Sequence, residues 1–171
     1  MSKNILITYA SYTGSAETIA AMISSDLESR GFKTAVIPMP EVKDISTYHA
    51  VIAGSAIHSG KWLPEAFDFL ESFKEQLGTK PFAAYLVCMT MAMKKSEKYL
   101  QFVSDFMIPV RQIITPVSEG HFAGKLEIRK LPSLSDKIKF RISVATGVWK
   151  EGDHINKVEI SKWSESLSHI L

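Results

Sequence analysis

The residues best suited to chemistry stand in three short loops, each directly after an apolar run. The first is Ser11-Tyr12-Thr13-Gly14-Ser15-Ala16. It precedes a stretch with helical spacing. Backbone N–H groups at a helix N-terminus, joined by the hydroxyls of Ser11, Thr13 and Ser15, could therefore hold an anion. The loop has no basic residue, lacks GxxxxGK[ST], and carries a single glycine where a dinucleotide fingerprint needs three. A neutral cradle of this kind suits a terminal phosphate monoester. An ordinary turn with a capping serine would use the same residue types.

The second loop is Gly54-Ser55-Ala56-Ile57-His58-Ser59-Gly60-Lys61-Trp62. Its two glycines and small residues would let a planar ligand approach the backbone. Trp62 offers a face for stacking, or else a cover for the sheet edge. No acid stands at a readable spacing from His58, so no catalytic triad is read. The third loop is Cys88-Met89-Thr90-Met91-Ala92-Met93. Alternate methionines can line a soft, polarizable cavity or serve as core filler. Cys88 has nothing basic immediately beside it, and reads as a small buried hydrophobe rather than a nucleophile. Together the three loops describe a phosphate cradle, a Gly-rich aromatic loop and an apolar loop, a set that suits a flat heterocycle with a phosphate tail.

Such loops need a scaffold that brings the ends of several strands to one edge. Asn4–Ala10 is a short β-branched run expected of a buried parallel strand. Ile19, Met22, Ile23 and Leu27 follow at helical spacing, and Gly31 is a natural stop. Lys33–Met39, His49–Ser55 and Phe82–Cys88 read as further strands, with Ile113–Val117 as a fifth. Pro64 opens a helix with Phe67, Leu70, Phe73 and Leu77 on one face. Ser96–Ile108 is helix-like. Val158–Ile160 reads as a closing strand, followed by a helix with Trp163, Leu167 and Ile170 inward. Within Lys137–Val144 strict alternation favours a strand, while Leu134, Ile138, Ile142 and Ala145 fit a helical face. The alternation of strands and helices implies a parallel sheet covered on both faces. Ligands of such sheets bind beyond the carboxyl ends of the strands, where the three loops stand.

The 171 residues suit one domain with an inserted basic segment at about 120–157. One cysteine excludes an internal disulfide and any CxxC site, and fits a reducing, cytoplasmic setting. The longest apolar stretch, Phe82 to Met93, falls short of the ~20 residues of a spanning helix. The net charge of +2 is unevenly placed: Lys125–Arg141 holds six basic residues against Glu127 and Asp136. That segment is either a solvated face or a docking patch for an acidic partner or an anionic membrane surface. No metal or nucleic-acid partner is expected.

ILITYASYTGSAETIA resembles the strand, phosphate loop and helix of the flavodoxin family. The resemblance implies an α/β, flavodoxin-like three-layer sandwich: a five-stranded parallel sheet in the order 2-1-3-4-5 with helices on both faces. It also implies FMN as cofactor. Ser11, Tyr12, Thr13, Gly14, Ser15 and Ala16 would hold its phosphate. Ser55, Ala56, Ile57, His58, Ser59, Gly60, Lys61 and Trp62, with Met89, Thr90, Met91 and Ala92, would surround its ring. Ala16 departs from the pattern, where a threonine or serine is usual. The third loop lacks the tyrosine that flavodoxins often stack on the flavin, and the sequence pI of about 8.6 departs from their acidity.

VIAGSAIHSGKW, the basic segment GHFAGKLEIRKLPSLSDKIKFRIS and EISKWSESL are similar to the quinone-dependent protoporphyrinogen IX dehydrogenase branch. That likeness implies a helix over Ser135–Val144. It also implies an FMN oxidoreductase acting on a flat apolar molecule such as a porphyrinogen or a quinone, with no catalytic side chain beyond the flavin. The alternative partner is a redox protein, with the chain as an electron-transfer flavodoxin. A third reading, an interaction module without flavin, rests on Ala16.

Overall fold

In the computed structural model, which describes residues 3–171, five parallel strands form one sheet. They are β1 (Asn4–Ala10), β2 (Lys33–Pro38), β3 (Ala50–His58), β5 (Phe82–Val87) and β6 (Ser118–Phe122). Their spatial order is β2-β1-β3-β5-β6, which is the expected 2-1-3-4-5 for the parallel strands taken in chain order. The two-residue strand β4 (Lys61–Trp62) folds back antiparallel on the end of β3.

Strand alternation divides the core into two layers, because successive side chains leave opposite faces. Ile5 and Ile7 of β1, Ala50 and Ile52 of β3, and Ala83 and Tyr85 of β5 meet α1 (Ser15–Ser29) and α6 (Lys157–Ser168). Leu6 and Ala10, Val51 and Ala53, and Phe82, Ala84 and Leu86 meet the other layer. That layer holds α2 (Pro64–Leu77), α3 (Leu100–Asp105) and α4 (Ile108–Ile113). A third, smaller cluster lies outside the sandwich. There Leu126, Ile128 and Leu131 pack with Tyr12, Met89, Phe140 and Trp149. It belongs to the segment between β6 and α6, which holds the short ribbon β7 (Lys125–Leu126) with β8 (Gly152–Asp153) and the helix α5 (Leu134–Ala145).

Four expectations are corrected. Residues 113–117 are not a strand: Ile113 ends α4, and the fifth parallel strand is Ser118–Phe122. That strand is polar in sequence because its neighbours satisfy it. Trp163 Nε1 donates to Ser118 Oγ at 2.9 Å, and Arg111 donates to both oxygens of Glu119 at 2.7 and 2.6 Å. Val158–Ile160 lies in α6, not in a strand. The carboxamide oxygen of Asn156 accepts from the N–H groups of Val158 and Glu159 and starts the helix there. Leu167 of this helix is buried as expected, but Ile170 is exposed. Ser96–Ile108 is broken into a 3-10 turn at Ser96–Tyr99, α3, and the start of α4. The ambiguous stretch 137–144 is helical, within α5.

Candidate functional site

The loop Ser11–Gly14 joins β1 to α1 at the carboxyl edge of the sheet. Gly14 has φ +95°, and its N–H donates to Ser11 Oγ at 2.9 Å. No side chain caps α1. The first N–H groups of this fifteen-residue helix, which lack partners inside it, therefore face the loop. The Thr13 hydroxyl makes no hydrogen bond among the described residues. Ser15 Oγ accepts from the N–H of Lys125 at 2.9 Å, which leaves its own O–H free to donate. Ala16 is fully buried in the α1 layer of the core, so only its backbone can serve a ligand. Its carbonyl is held from below by the buried Tyr85 hydroxyl at 2.8 Å.

The second loop is a two-residue hairpin. Ile57 pairs with Trp62 and His58 with Lys61, leaving Ser59 (φ 50°) and Gly60 (φ 76°) as the turn. Positive φ at both central residues is the hairpin geometry that matches strand twist. Several side chains expected at a ligand are used elsewhere. Trp62 is 2% exposed and lies in the α2 layer of the core, so it offers no stacking face. The buried Ser55 hydroxyl accepts from Leu63 N–H and donates to the Ala56 carbonyl, which ties the end of β3 to α2. The room at Gly54 is taken by the Tyr85 ring, not left for a ligand.

Between these loops lies a narrow cleft of about 70 Å³. Of the expected site residues, Tyr12, Thr13, Ser15, Ala56, Ile57, His58 and Met89 line it. Val87, Gly124, Lys125, Leu126, Leu131 and Phe140 complete it. An adjoining apolar cleft shares Ile57, Met89 and Phe140 and adds Gly60, Cys88, Thr90, Phe102, Phe106 and Trp149. Ser11, Gly14, Ala16, Ser55, Ser59, Lys61, Trp62, Met91 and Ala92 line neither cleft. Cys88 is 8% exposed, a small apolar lining group.

One cluster spans three elements. The Tyr12 hydroxyl donates to Asp136 Oδ2 at 2.7 Å, and His58 Nε2 lies 3.0 Å from the same oxygen. The Tyr12 and His58 rings stack with centroids 4.4 Å apart. Asp136, buried on α5, thus fastens the segment between β6 and α6 to the first two loops. The hydrogen bond to Asp136 pushes the Tyr12 phenol up to about 12, with burial adding to it. The same bond, followed by that to His58, holds the Asp136 carboxyl below the ordinary carboxylate range. Asp136 was not foreseen as a site residue. Ser133-Leu-Ser-Asp136 is a cap signature, and Ser133 Oγ does accept from Asp136 N–H, so the helix start was legible. Nothing local announces a partner 124 residues away.

The family model described as "Flavodoxin domain" matches residues 6–147. No curated protein matches. Among solved structures, a short-chain flavodoxin associated with a non-canonical PDU bacterial microcompartment is similar at TM-score 0.63. The two are 13% identical over 98% of each chain. A Fusobacterium nucleatum flavodoxin bound to flavin mononucleotide is similar at TM-score 0.59, with 14% identity over 99% of each chain. Rubredoxin oxygen:oxidoreductase from Desulfovibrio gigas is similar at TM-score 0.51 and 16% identity. The match covers 97% of this chain and 36% of that one. At these identities the likeness is one of fold.

Proposed function

From a chain that belongs to the flavodoxin-domain family, we infer an FMN-binding oxidoreductase whose flavin meets a flat apolar substrate directly. A porphyrinogen, with a quinone as acceptor, is the substrate class we propose. The observation that carries this reading is the meeting of an uncapped, hydroxyl-bearing helix N-terminus with an apolar cleft. The residues present fit FMN: Thr13, Ser15 and the first N–H groups of α1 would hold its phosphate. Ile57, Val87, Met89 and Leu126 would hold its ring. The Fusobacterium nucleatum neighbour, described as bound to flavin mononucleotide, supports the choice of cofactor.

The bound flavin supplies the electron and hydride chemistry. The chain's own residues place it and exclude water. Phe102, Phe106, Phe140 and Trp149 wall the adjoining cleft, where a second planar molecule would find an apolar seat. The carrier reading has its own support, since the flavodoxin neighbours match over nearly their whole length. Such a protein would pass electrons between redox partners with no substrate of its own.

Absorbance of the protein after FMN loading and removal of excess tests the common part. We expect flavin to be retained, and to be lost when Thr13→Glu and Ser15→Glu are combined. Anaerobic mixing with a porphyrinogen, then a quinone, separates the readings. Flavin bleaching by the porphyrinogen and recovery with the quinone is the expected result. Retained flavin that neither molecule touches would leave the carrier. No retention of FMN, FAD or riboflavin would overturn both.

A further inference from the structure

Helix α5 is apolar on two sides. Asp136, Phe140 and Val144 turn toward the body of the protein, where Phe140 and Val144 join the small cluster around Leu126. On the opposite side Leu134, Ile138 and Ile142 follow at steps of four residues, and they are 73%, 52% and 59% exposed. They form one straight ridge along a helix of twelve residues, ~18 Å long at 1.5 Å per residue. Lys137 and Arg141 border the ridge on one side and Lys139 on the other. The one acid of the helix, Asp136, is buried and bonded to Tyr12 and His58, so the outward surface is basic.

The ridge is convex and one residue wide, and it holds no aromatic anchor. A standard protein interface buries ~800 Å² per partner and centres on such anchors, so these three aliphatic side chains suit it poorly. An aliphatic ridge with long cations beside it instead matches a lipid interface. Aliphatic groups enter the acyl boundary there while lysine and arginine reach up to the headgroups. Another stretch that lines the apolar cleft has a similar composition, with Glu97 as its one acid. Lys94, Lys95 and Lys98 precede the exposed Tyr99, Leu100 and Phe102, and Phe102 shares that cleft with Phe140. No helix among the described residues is long and apolar enough to cross a membrane, so attachment would be peripheral.

We propose that α5 docks this protein on an anionic membrane surface, its ridge of Leu134, Ile138 and Ile142 lying in the headgroup boundary between Lys137, Lys139 and Arg141. The proposal stands apart from the reading of the cleft, and holds whichever molecule the flavin meets.

Vesicle co-sedimentation of the FMN-loaded full chain tests it. The probes are phosphatidylcholine vesicles with and without phosphatidylglycerol. We expect binding to the anionic vesicles, at least tenfold weaker to the neutral ones, and falling with salt. Leu134→Gln, Ile138→Gln and Ile142→Gln together should weaken binding at least tenfold while flavin content and thermal unfolding stay as they were. Lys137→Gln, Lys139→Gln and Arg141→Gln together should weaken it on the order of a hundredfold. Three results would overturn the proposal. One is no binding to anionic vesicles. Another is undiminished binding by the Gln ridge variant. The last is a concentration-dependent dimer that the ridge variant abolishes, with no vesicle binding by either protein.

Discussion

A methyl group at Gly54 would stand 1.9 Å from the ring of Tyr85 on the neighbouring strand. The glycine is there because the ring fills its place, and the hydroxyl at the far end of that ring holds the Ala16 carbonyl. One missing side chain in β3 thus sets the height of α1 above the sheet, and with it the phosphate loop. Gly54→Ala should cost about 3 kcal/mol or more in urea unfolding, since neither buried strand can yield. Gly78→Ala, at an ordinary helical φ with room for the methyl, should stay within about 0.5 kcal/mol. Tyr12 offers a second prediction. Its folded pKa is raised, so its contribution is complete below the unfolded value of ~10 and is lost as pH rises toward about 12. For Asp136, whose pKa is depressed, the contribution is present above ~4 and lost as pH falls below that. Burial also raises the Tyr85 and Tyr9 phenols, so ultraviolet titration should show several late tyrosines, of which one, Tyr12, moves to lower pH in Asp136→Asn. An unchanged titration in that variant would refute the coupling.

Among the elements, α5 is the one held by side chains rather than by the sheet. Its attachments are the Asp136 cluster, the Phe140–Trp149 ring pair with centroids 5.1 Å apart, and the β7–β8 ribbon beside it. Removing the carboxylate leaves the Tyr12 hydroxyl unpaired and should loosen α5 by roughly 1–3 kcal/mol. Hydrogen exchange of Asp136→Ala should therefore speed up in residues 134–145 while β1, β3 and β5 keep wild-type protection. Equal acceleration across the sheet would show that the cluster supports the whole fold instead. The same contrast explains what was legible in the sequence. Asn4–Ala10 and Phe82–Val87 are continuous apolar runs because both faces are covered, and they read plainly. Ser118–Phe122 did not, because its polarity is answered by Trp163, 45 residues from Ser118, and by Arg111, which meets Glu119 only once α4 has packed beside the strand. Val158–Ile160 looked like a strand through its β-branched residues, although Asn156 with Glu159 already marked a helix start. At the site, the hydroxyl loop was readable as a motif. The burial of Trp62 and the reach of Asp136 depend on contacts made only after folding.

On the scale of the molecule, charge separates this chain from acidic carriers. Its formal net charge is +2, with the surplus in the segment that flanks the cleft. A positive surround favours adding negative charge to a bound flavin. The second one-electron reduction should thus occur at a less negative potential than in an acidic flavodoxin. Anaerobic potentiometric titration checks this, and a value as low as that of an acidic carrier would count against it.

The two layers of the core also differ in time. The layer under α2, α3 and α4 draws nothing from beyond residue 114, so a growing chain can close it early. The layer under α1 needs Ile160, Leu167 and Leu171 against Ile19 and Ile23. At ~5–20 residues per second of synthesis, α1 settles on the sheet early, but the part of it that faces α6 waits several seconds for its cover. During that wait one layer of the nascent chain is incomplete, and the first helix made is the last to be fully sheltered.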